Sequence, residues 1–307
     1  MTIFGGSDNK LGSSKNAKAV ILPVPYGKTV TYRKGTEKGP QAILDASDNL
    51  ELFDEELNRE IYRIGINTLP SLKVASLSPV NVVDSVRNKV SDIFKKGKFP
   101  VVLGGEHSIT VGAVQAAKKY YKDLSVLYFD AHCDLRDTYK GSKYNHACTA
   151  RRVSEIAPLV EVGIRSFSKE EFDASTALSI NPELNSGLRV EGSRRVDFLK
   201  HNSVKVISIL DIMRMPGWPE VVKKKLSENV YISIDLDVFD PSIMPAVGTP
   251  EPGGMGWYVF LKAIRNIISS KNIVGFDLTE LCPVKDMVAP DFAAAKLMYK
   301  LLGYTFF

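Results

Sequence analysis

The chain has 307 residues and a formal net charge of +5, from 40 Lys and Arg against 35 Asp and Glu. That mild excess is spread along the chain, unlike the concentrated basic stripe of a nucleic-acid binder. No apolar run is long enough to span a bilayer.

Residues 1–15 read as a polar, Gly/Ser-rich tail without the apolar stretch of a secretory signal, so a cytoplasmic enzyme is expected. Residues 16–307 read as a single domain, since no linker, repeat or low-complexity tract interrupts them. Strand-like runs are expected at 19–22, 61–66, 100–103, 124–129, 159–162, 204–209, 230–234 and 273–276. Between them lie amphipathic stretches, such as Val82, Val83, Val86, Val90, Ile93 and Phe94 at helical spacing, and 257–268. Alternation of this kind predicts an α/β fold with a parallel sheet between helix layers. The region 174–195 reads as an irregular excursion, with Asn-Pro and Asn-Ser-Gly turn signals.

Taken in chain order, the chemistry-bearing motifs stand where strands run out. Gly104-Gly105-Glu106-His107-Ser108 follows the run 100–103, and its glycines allow a tight turn that carries His107 over the sheet edge. Asp130-Ala131-His132-Cys133-Asp134 follows 124–129, and Asp235-Leu236-Asp237 follows 230–234. In a parallel sheet the carboxyl ends of strands are where ligands bind. Charge beside buried strands is costly unless it is paired or holds metal. Mixed imidazole and carboxylate donors suit hard or borderline cations such as Mn²⁺, without excluding Zn²⁺, Fe²⁺, Co²⁺ or Ni²⁺. Two such cations can ionise a shared water for hydrolysis.

Charge then points to the substrate. Asp130, Asp134, Asp235 and Asp237 balance two divalent cations, which leaves Glu280, after the run 273–276, as a free carboxylate. Such a site attracts a cation and repels a phosphate ester, and a guanidinium can donate two parallel hydrogen bonds to one carboxylate. A phosphoesterase remains the competing reading, because Asn145-His146 mimics the Asn-His pair of dinuclear phosphoesterases. Three cysteines cannot all pair: Cys133, Cys148 and Cys282 read as reduced thiols close to candidate site residues, where oxidation would be felt. His201 reads as an ordinary surface or core histidine.

These motifs resemble the ureohydrolases, the family of arginase, agmatinase, guanidinobutyrase and formimidoylglutamase. The resemblance runs from Val24-Pro25-Tyr26-Gly27 and Lys38-Gly39-Pro40-Gln41-Ala42-Ile43 to Glu280. It implies a three-layer αβα sandwich with an eight-stranded parallel sheet, a dinuclear manganese centre, and a trimer or hexamer of identical chains. It implies that His107 and Asp134 bind one metal, His132 and Asp237 the other, and that Asp130 and Asp235 bridge them. His146 matches the proton-shuttling histidine and Glu280 the carboxylate that orients the guanidinium, while Thr249 falls in a substrate-side loop. The stretch around His146 lacks the Ser/Thr/Asn-rich loop by which arginases read an α-carboxylate. It is similar to the agmatinase segment, so agmatine, cleaved to putrescine and urea, is the expected substrate. Arg151 and Arg152 stand as solvated or interface residues, or as readers of a carboxylate in guanidinobutyrate. A non-enzymatic binder on this fold would be expected to have lost ligands, and none is lost here.

Overall fold

A computed structural model of the chain describes residues 2–9, 11, 16–171 and 204–307. The expected excursion at 174–195 and His201 lie outside the described residues. Eight strands form one sheet: β1 (Ala19–Val24), β4 (Ile66–Thr68), β5 (Phe99–Gly104), β6 (Ser125–Phe129), β7 (Leu159–Ile164), β8 (Val204–Ser208), β9 (Asn229–Asp235) and β10 (Asn272–Thr279). Their order is β4-β1-β5-β10-β9-β6-β7-β8, and every pairing is parallel. A separate antiparallel pair, β2 (Phe53–Asp54) and β3 (Arg59–Glu60), is too short to have registered as a sequence pattern.

Alternation within the strands sorts the core into two layers. Ala19 and Ile21 of β1 join one apolar cluster, with Ile43, Trp218, Ile264 and Leu301 from the covering helices. Val20 and Leu22 point the other way, against Val83, Val86 and Val114. Both faces are therefore covered, as an all-parallel sheet requires. Helices Gly39–Ser47, Trp257–Ile268 and Ala289–Phe306 lie on the first face, and Pro79–Lys95 and Thr110–Tyr120 on the second. This is the three-layer αβα sandwich expected from the sequence.

Two local expectations are corrected. The run 61–66 is not one strand: Ile61–Ile64 is a 3-10 turn, ended by Gly65 at φ 75°, and the strand begins at Ile66. Ile61 and Ile64, three apart, both face the core, and Tyr62 N–H donates to Tyr299 Oη at 3.0 Å. That spacing matches a 3-10 period instead of strand alternation. The run 204–209 stops at Ser208, whose hydroxyl and backbone form a capping box with Asp211 that starts the next helix. The polar N-terminal stretch is docked where it is described. Phe4 is buried against Tyr299, and the Asn9 amide donates to Phe4 O and Ile66 O at 2.9 Å each. Its composition concealed one buried aromatic residue and one amide that satisfies two carbonyls.

Chain crossings place the crevice. β5 and β6 are consecutive in the chain along this part of the sheet, yet β10 and β9 lie between them. The loops after β5, β6, β9 and β10 therefore open on one crevice at the carboxyl edge. The turn after β5 depends on Gly105, where a Cβ would fall 2.0 Å from Tyr26 O.

Far from that edge, Lys300 is buried and its Nζ donates to Asp54 at 3.1 Å, Glu55 at 3.0 Å and Glu56 at 3.2 Å. Asp54 is wholly buried, so removing the lysine leaves an unpaired charge. Lys300→Met is expected to cost about 3–5 kcal/mol, read as a lowered midpoint in urea unfolding. An unchanged midpoint would show the cluster to be solvated.

Candidate metal centre and active site

The segments at the ends of β5, β6 and β9 converge. Asp130 Oδ2 and Asp235 Oδ2 each lie 3.1 Å from His107 Nδ1. Asp237 Oδ2 lies 2.8 Å from His132 Nδ1, with Asp130 Oδ1 at 3.6 Å. The donor atoms form two sets, each within 4.8 Å of one another: His107, Asp130 and Asp235, and Asp130, His132 and Asp237. Asp130 belongs to both. Asp134, expected beside His107, is buried but joins neither set, and its Oδ2 accepts from Tyr128 Oη at 3.2 Å. That same hydroxyl lies 3.0 Å from His107 Nδ1, so Asp134 stands one hydroxyl away from the cluster.

Backbone amides orient the carboxylates. Asp237 Oδ1 accepts from Ala131 N at 3.0 Å, and Asp235 Oδ1 from Asp237 N at 2.8 Å. Asp130 Oδ1 accepts from His132 N, while its buried Oδ2 accepts no hydrogen bond. A cation is the partner such an orphaned anionic oxygen fits. Asp134, at φ 47°, and Glu280, at φ 66°, both hold left-handed backbone, the kind of strain that clusters at functional sites.

The titration behaviour reports the same deficit of positive charge. Burial pushes the His107 imidazole down, yet Asp130, Asp277 and Asp134 lift it to about 9. Burial also opposes charge on His132, but Asp237 and Asp130 raise it to about 12. Asp134 and Asp235 are driven well above the ordinary carboxylate range, first by burial and then by neighbouring aspartates. In a metal-free protein, protons do what a cation would do, because like charges this close cannot all ionise.

Sequence reasoning missed the row that holds His107. Tyr128 of β6, Ser233 of β9 and Asp277 of β10 are paired in register across three adjacent strands, on the same buried face. The His107 ring stacks on Tyr128 at 4.5 Å, and its Nε2 lies 2.8 Å from Ser233 Oγ. Ser233 Oγ–H donates to Asp277 Oδ1 at 2.7 Å, and Thr110 Oγ1–H to Asp277 Oδ2 at 3.0 Å. With its proton committed to Asp277, Ser233 accepts from Nε2–H, and Nδ1 turns its lone pair toward the carboxylates. The available signal was a serine and an aspartate inside otherwise apolar strands.

Arg165, just past β7, carried no motif at all. Its guanidinium donates to Asp237 O at 2.7 Å, Glu251 O at 2.8 Å and Pro252 O at 3.1 Å. It thereby ties the metal-ligand turn to the loop that carries Thr249.

A cavity of about 260 Å³ opens over these groups, and His146, Thr249, Glu280, Tyr32, Arg33 and Arg136 stand on its wall. Glu280 is buried and its Oε1 accepts from His107 N at 2.7 Å, while burial, then Glu106, pushes its carboxyl up to about 8. Burial, then the charge on His132, holds the His146 imidazole down at about 4, so it is neutral at physiological pH. Arg151 and Arg152 do not line this cavity. Arg152 is buried and ion-paired to Asp137 at 2.6 Å and Glu155 at 3.0 Å, which corrects its reading as a solvated residue. Arg136 lies 3.4 Å from Glu171. All three cysteines are buried thiols outside any disulfide, with Cys133 Sγ donating to Glu161 Oε2 at 3.8 Å.

Fold and site together define a ureohydrolase of the arginase type. The sequence profile of the arginase family matches residues 17–303, and the chain belongs to that family. It is 38% identical over 300 residues to an N(1)-aminopropylagmatine ureohydrolase of Synechocystis sp., covering 95% of this chain and 90% of that protein. An agmatinase of Pyrococcus horikoshii is 32% identical, with 94% and 92% covered. The crystal structure of the agmatine ureohydrolase of Thermoplasma volcanium superposes with a TM-score of 0.81 at 32% identity, over 99% of this chain and 94% of that one. Phosphoester hydrolysis, the competing reading, finds no support here.

Ser233→Ala removes the only hydrogen-bond partner of His107 Nε2 among the described residues. It is expected to weaken divalent-metal affinity by about 10–100-fold with the fold retained, measured by calorimetric titration and circular dichroism. Unaltered affinity would show that the row does not orient His107.

Proposed function

We propose that this chain hydrolyses the guanidino group of a guanidinoalkylamine that has no α-carboxylate, releasing urea and an amine. Agmatine is the preferred candidate, and its N1-aminopropyl derivative, named for the Synechocystis relative, is the extended form of the same chemistry. The observation that carries this reading is the opening of two His/Asp sets and the buried Glu280 onto one cavity.

The donors fit two divalent cations. His107, Asp130 and Asp235 would hold one, with Asp134 adjacent, and His132, Asp130 and Asp237 the other. Manganese is the expected metal for such oxygen and imidazole donors. Bound there, two divalent cations supply Lewis acidity and lower the pKa of a water from about 15.7 to near neutrality. The chain's own residues do the rest. Glu280, anchored through Oε1, offers its other oxygen to the guanidinium, and a cation in the cavity stabilises its ionised form. His146, neutral and on the cavity wall, carries a proton to the nitrogen of the departing amine. Thr249 borders the substrate on the loop that Arg165 holds.

Pairing of the described arginines near His146 supports the choice of a substrate without an α-carboxylate. Arg152 is consumed by Asp137 and Glu155, and Arg136 is neutralised by Glu171. The same reading makes residues 16–307 one domain of a cytoplasmic homo-oligomer, trimeric or hexameric, which light scattering decides.

Urea release with Mn²⁺ present is the direct test, run against agmatine, N1-aminopropylagmatine, arginine, guanidinobutyrate and formimidoylglutamate. Agmatine or its aminopropyl form should give the highest kcat/KM. Preference for guanidinobutyrate would overturn the substrate choice and point to Arg33 as the carboxylate reader. Asp130→Ala and Asp235→Ala are each expected to lose bound metal and turnover together, by elemental analysis and urea assay. His146→Ala should keep its metal while kcat falls by about a hundredfold or more. Metal loss in that variant would make His146 a ligand instead.

A further inference from the structure

Next to His146, two residues outside the cavity lining form a chain: Thr29, which no motif signals, and Glu106 of the Gly-Gly-Glu-His-Ser turn. Thr29 Oγ1 lies 2.6 Å from Glu106 Oε1, 3.2 Å from His146 N and 3.4 Å from His146 Nδ1. Glu106 is fully buried, and its oxygens are already occupied. Oε2 accepts from Thr29 N at 2.6 Å, and Oε1 also accepts from Ser108 Oγ at 2.6 Å. Glu106 is thus an acceptor toward the Thr29 hydroxyl.

A threonine hydroxyl has one proton and two lone pairs. With that proton given to Glu106, Oγ1 can only accept from His146. One lone pair takes the backbone N–H, and the other faces Nδ1. The imidazole must then carry its proton on Nδ1, which leaves Nε2 as the basic nitrogen of a side chain that lines the cavity. The orientation and tautomer of a histidine are set by the partner of its other nitrogen.

We infer that Thr29 and Glu106 are positioning residues that lock His146 as the Nδ1–H tautomer, so that Nε2 can take up and hand on the proton in amine release. This inference rests on the proton-carrying role assigned to His146 above. Neither Thr29 nor Glu106 lines the substrate cavity. Thr29 acts through that imidazole, whereas Glu106 also faces Glu280 electrostatically, which makes Thr29→Val the cleaner probe of the relay. Glu106 also explains the coupling of distant segments: the turn after β5 grips the loop after β1, and that loop grips the helix start at His146.

Polarity gives the inference a sharp consequence. In Glu106→Gln the amide oxygen must face Thr29 N–H, which places the amide nitrogen against Thr29 Oγ1. The threonine proton is then free to turn to His146 Nδ1, which favours the opposite tautomer.

The experiment measures kcat, KM and bound manganese for the holoenzyme with its best substrate, in Thr29→Val, Thr29→Ser, Glu106→Gln, His146→Ala and the Thr29→Val/His146→Ala double variant. Thr29→Val should lower kcat by about tenfold or more, bounded by the His146→Ala loss, with KM and metal content unchanged, and Glu106→Gln should lower kcat by a similar factor. Thr29→Ser, which keeps the hydroxyl, should stay within about threefold of wild type by restoring the same hydrogen bonds. In the His146→Ala background, Thr29→Val should cost nothing more, because residues acting as one unit are not additive. A wild-type kcat in Thr29→Val beside an impaired His146→Ala overturns the relay alone. So does a further loss when Thr29→Val is added to His146→Ala, equal to its loss in the wild-type background, or loss of metal from Thr29→Val, since each makes Thr29 a scaffold residue. A wild-type kcat in His146→Ala overturns both the shuttle role and the relay.

Discussion

The carboxyl edge of this sheet gathers more negative charge than its own side chains can neutralise. Asp130, Asp134, Asp235 and Asp237 are all buried at the ends of two strands, with His107 and His132 the imidazoles that answer them. In a medium of low dielectric that arrangement is tolerable only with protons or metal cations in place. Much of the surrounding structure can be understood as what keeps these groups from relaxing apart. The backbone amides of Ala131 and Asp237, the crowded turn at Gly105 and the left-handed backbone at Asp134 and Glu280 all hold carboxylates that would otherwise repel.

That constraint reaches into the sheet. Directly beneath His107, three neighbouring strands give up apolar packing at one register to present Tyr128, Ser233 and Asp277. A buried polar row is unfavourable unless every member is satisfied. Here each hydroxyl has a destination: Ser233 and Thr110 both serve Asp277, and Tyr128 lies between His107 and Asp134. The same logic recurs around His146 through Thr29 and Glu106. Both relays use a hydroxyl to convert a buried carboxylate into a directional acceptor for a histidine N–H, so the ring's orientation is built into the scaffold.

The site also spans segments far apart in the chain without a covalent tie. Arg165 binds carbonyls of the Asp237 turn and of residues 251 and 252, joining the end of β7 to two later loops. A lysine could not reproduce this planar fork of donors. The shape of the substrate cavity therefore depends on a residue that touches neither metal ligands' side chains nor the reacting group.

Much of this protein is local in origin and was legible in the chain. Alternation of short apolar runs with helical spacing determined the parallel sandwich, and clusters of Asp and His at strand ends determined the kind of chemistry. Both signals sit in contiguous residues: strand alternation has a period of two, and ligands on adjacent positions of one turn stay together whatever the rest does. The 3-10 turn at Ile61–Ile64 escaped because three apolar residues in four satisfy either period until Tyr299, far along the chain, supplies a partner. Asp134, Ser233, Asp277, Thr29, Glu106 and Arg165 acquired their places only in three dimensions. Hydrogen-bond partners across neighbouring strands have no fixed sequence separation, so which proton each group holds was decided by the tertiary structure.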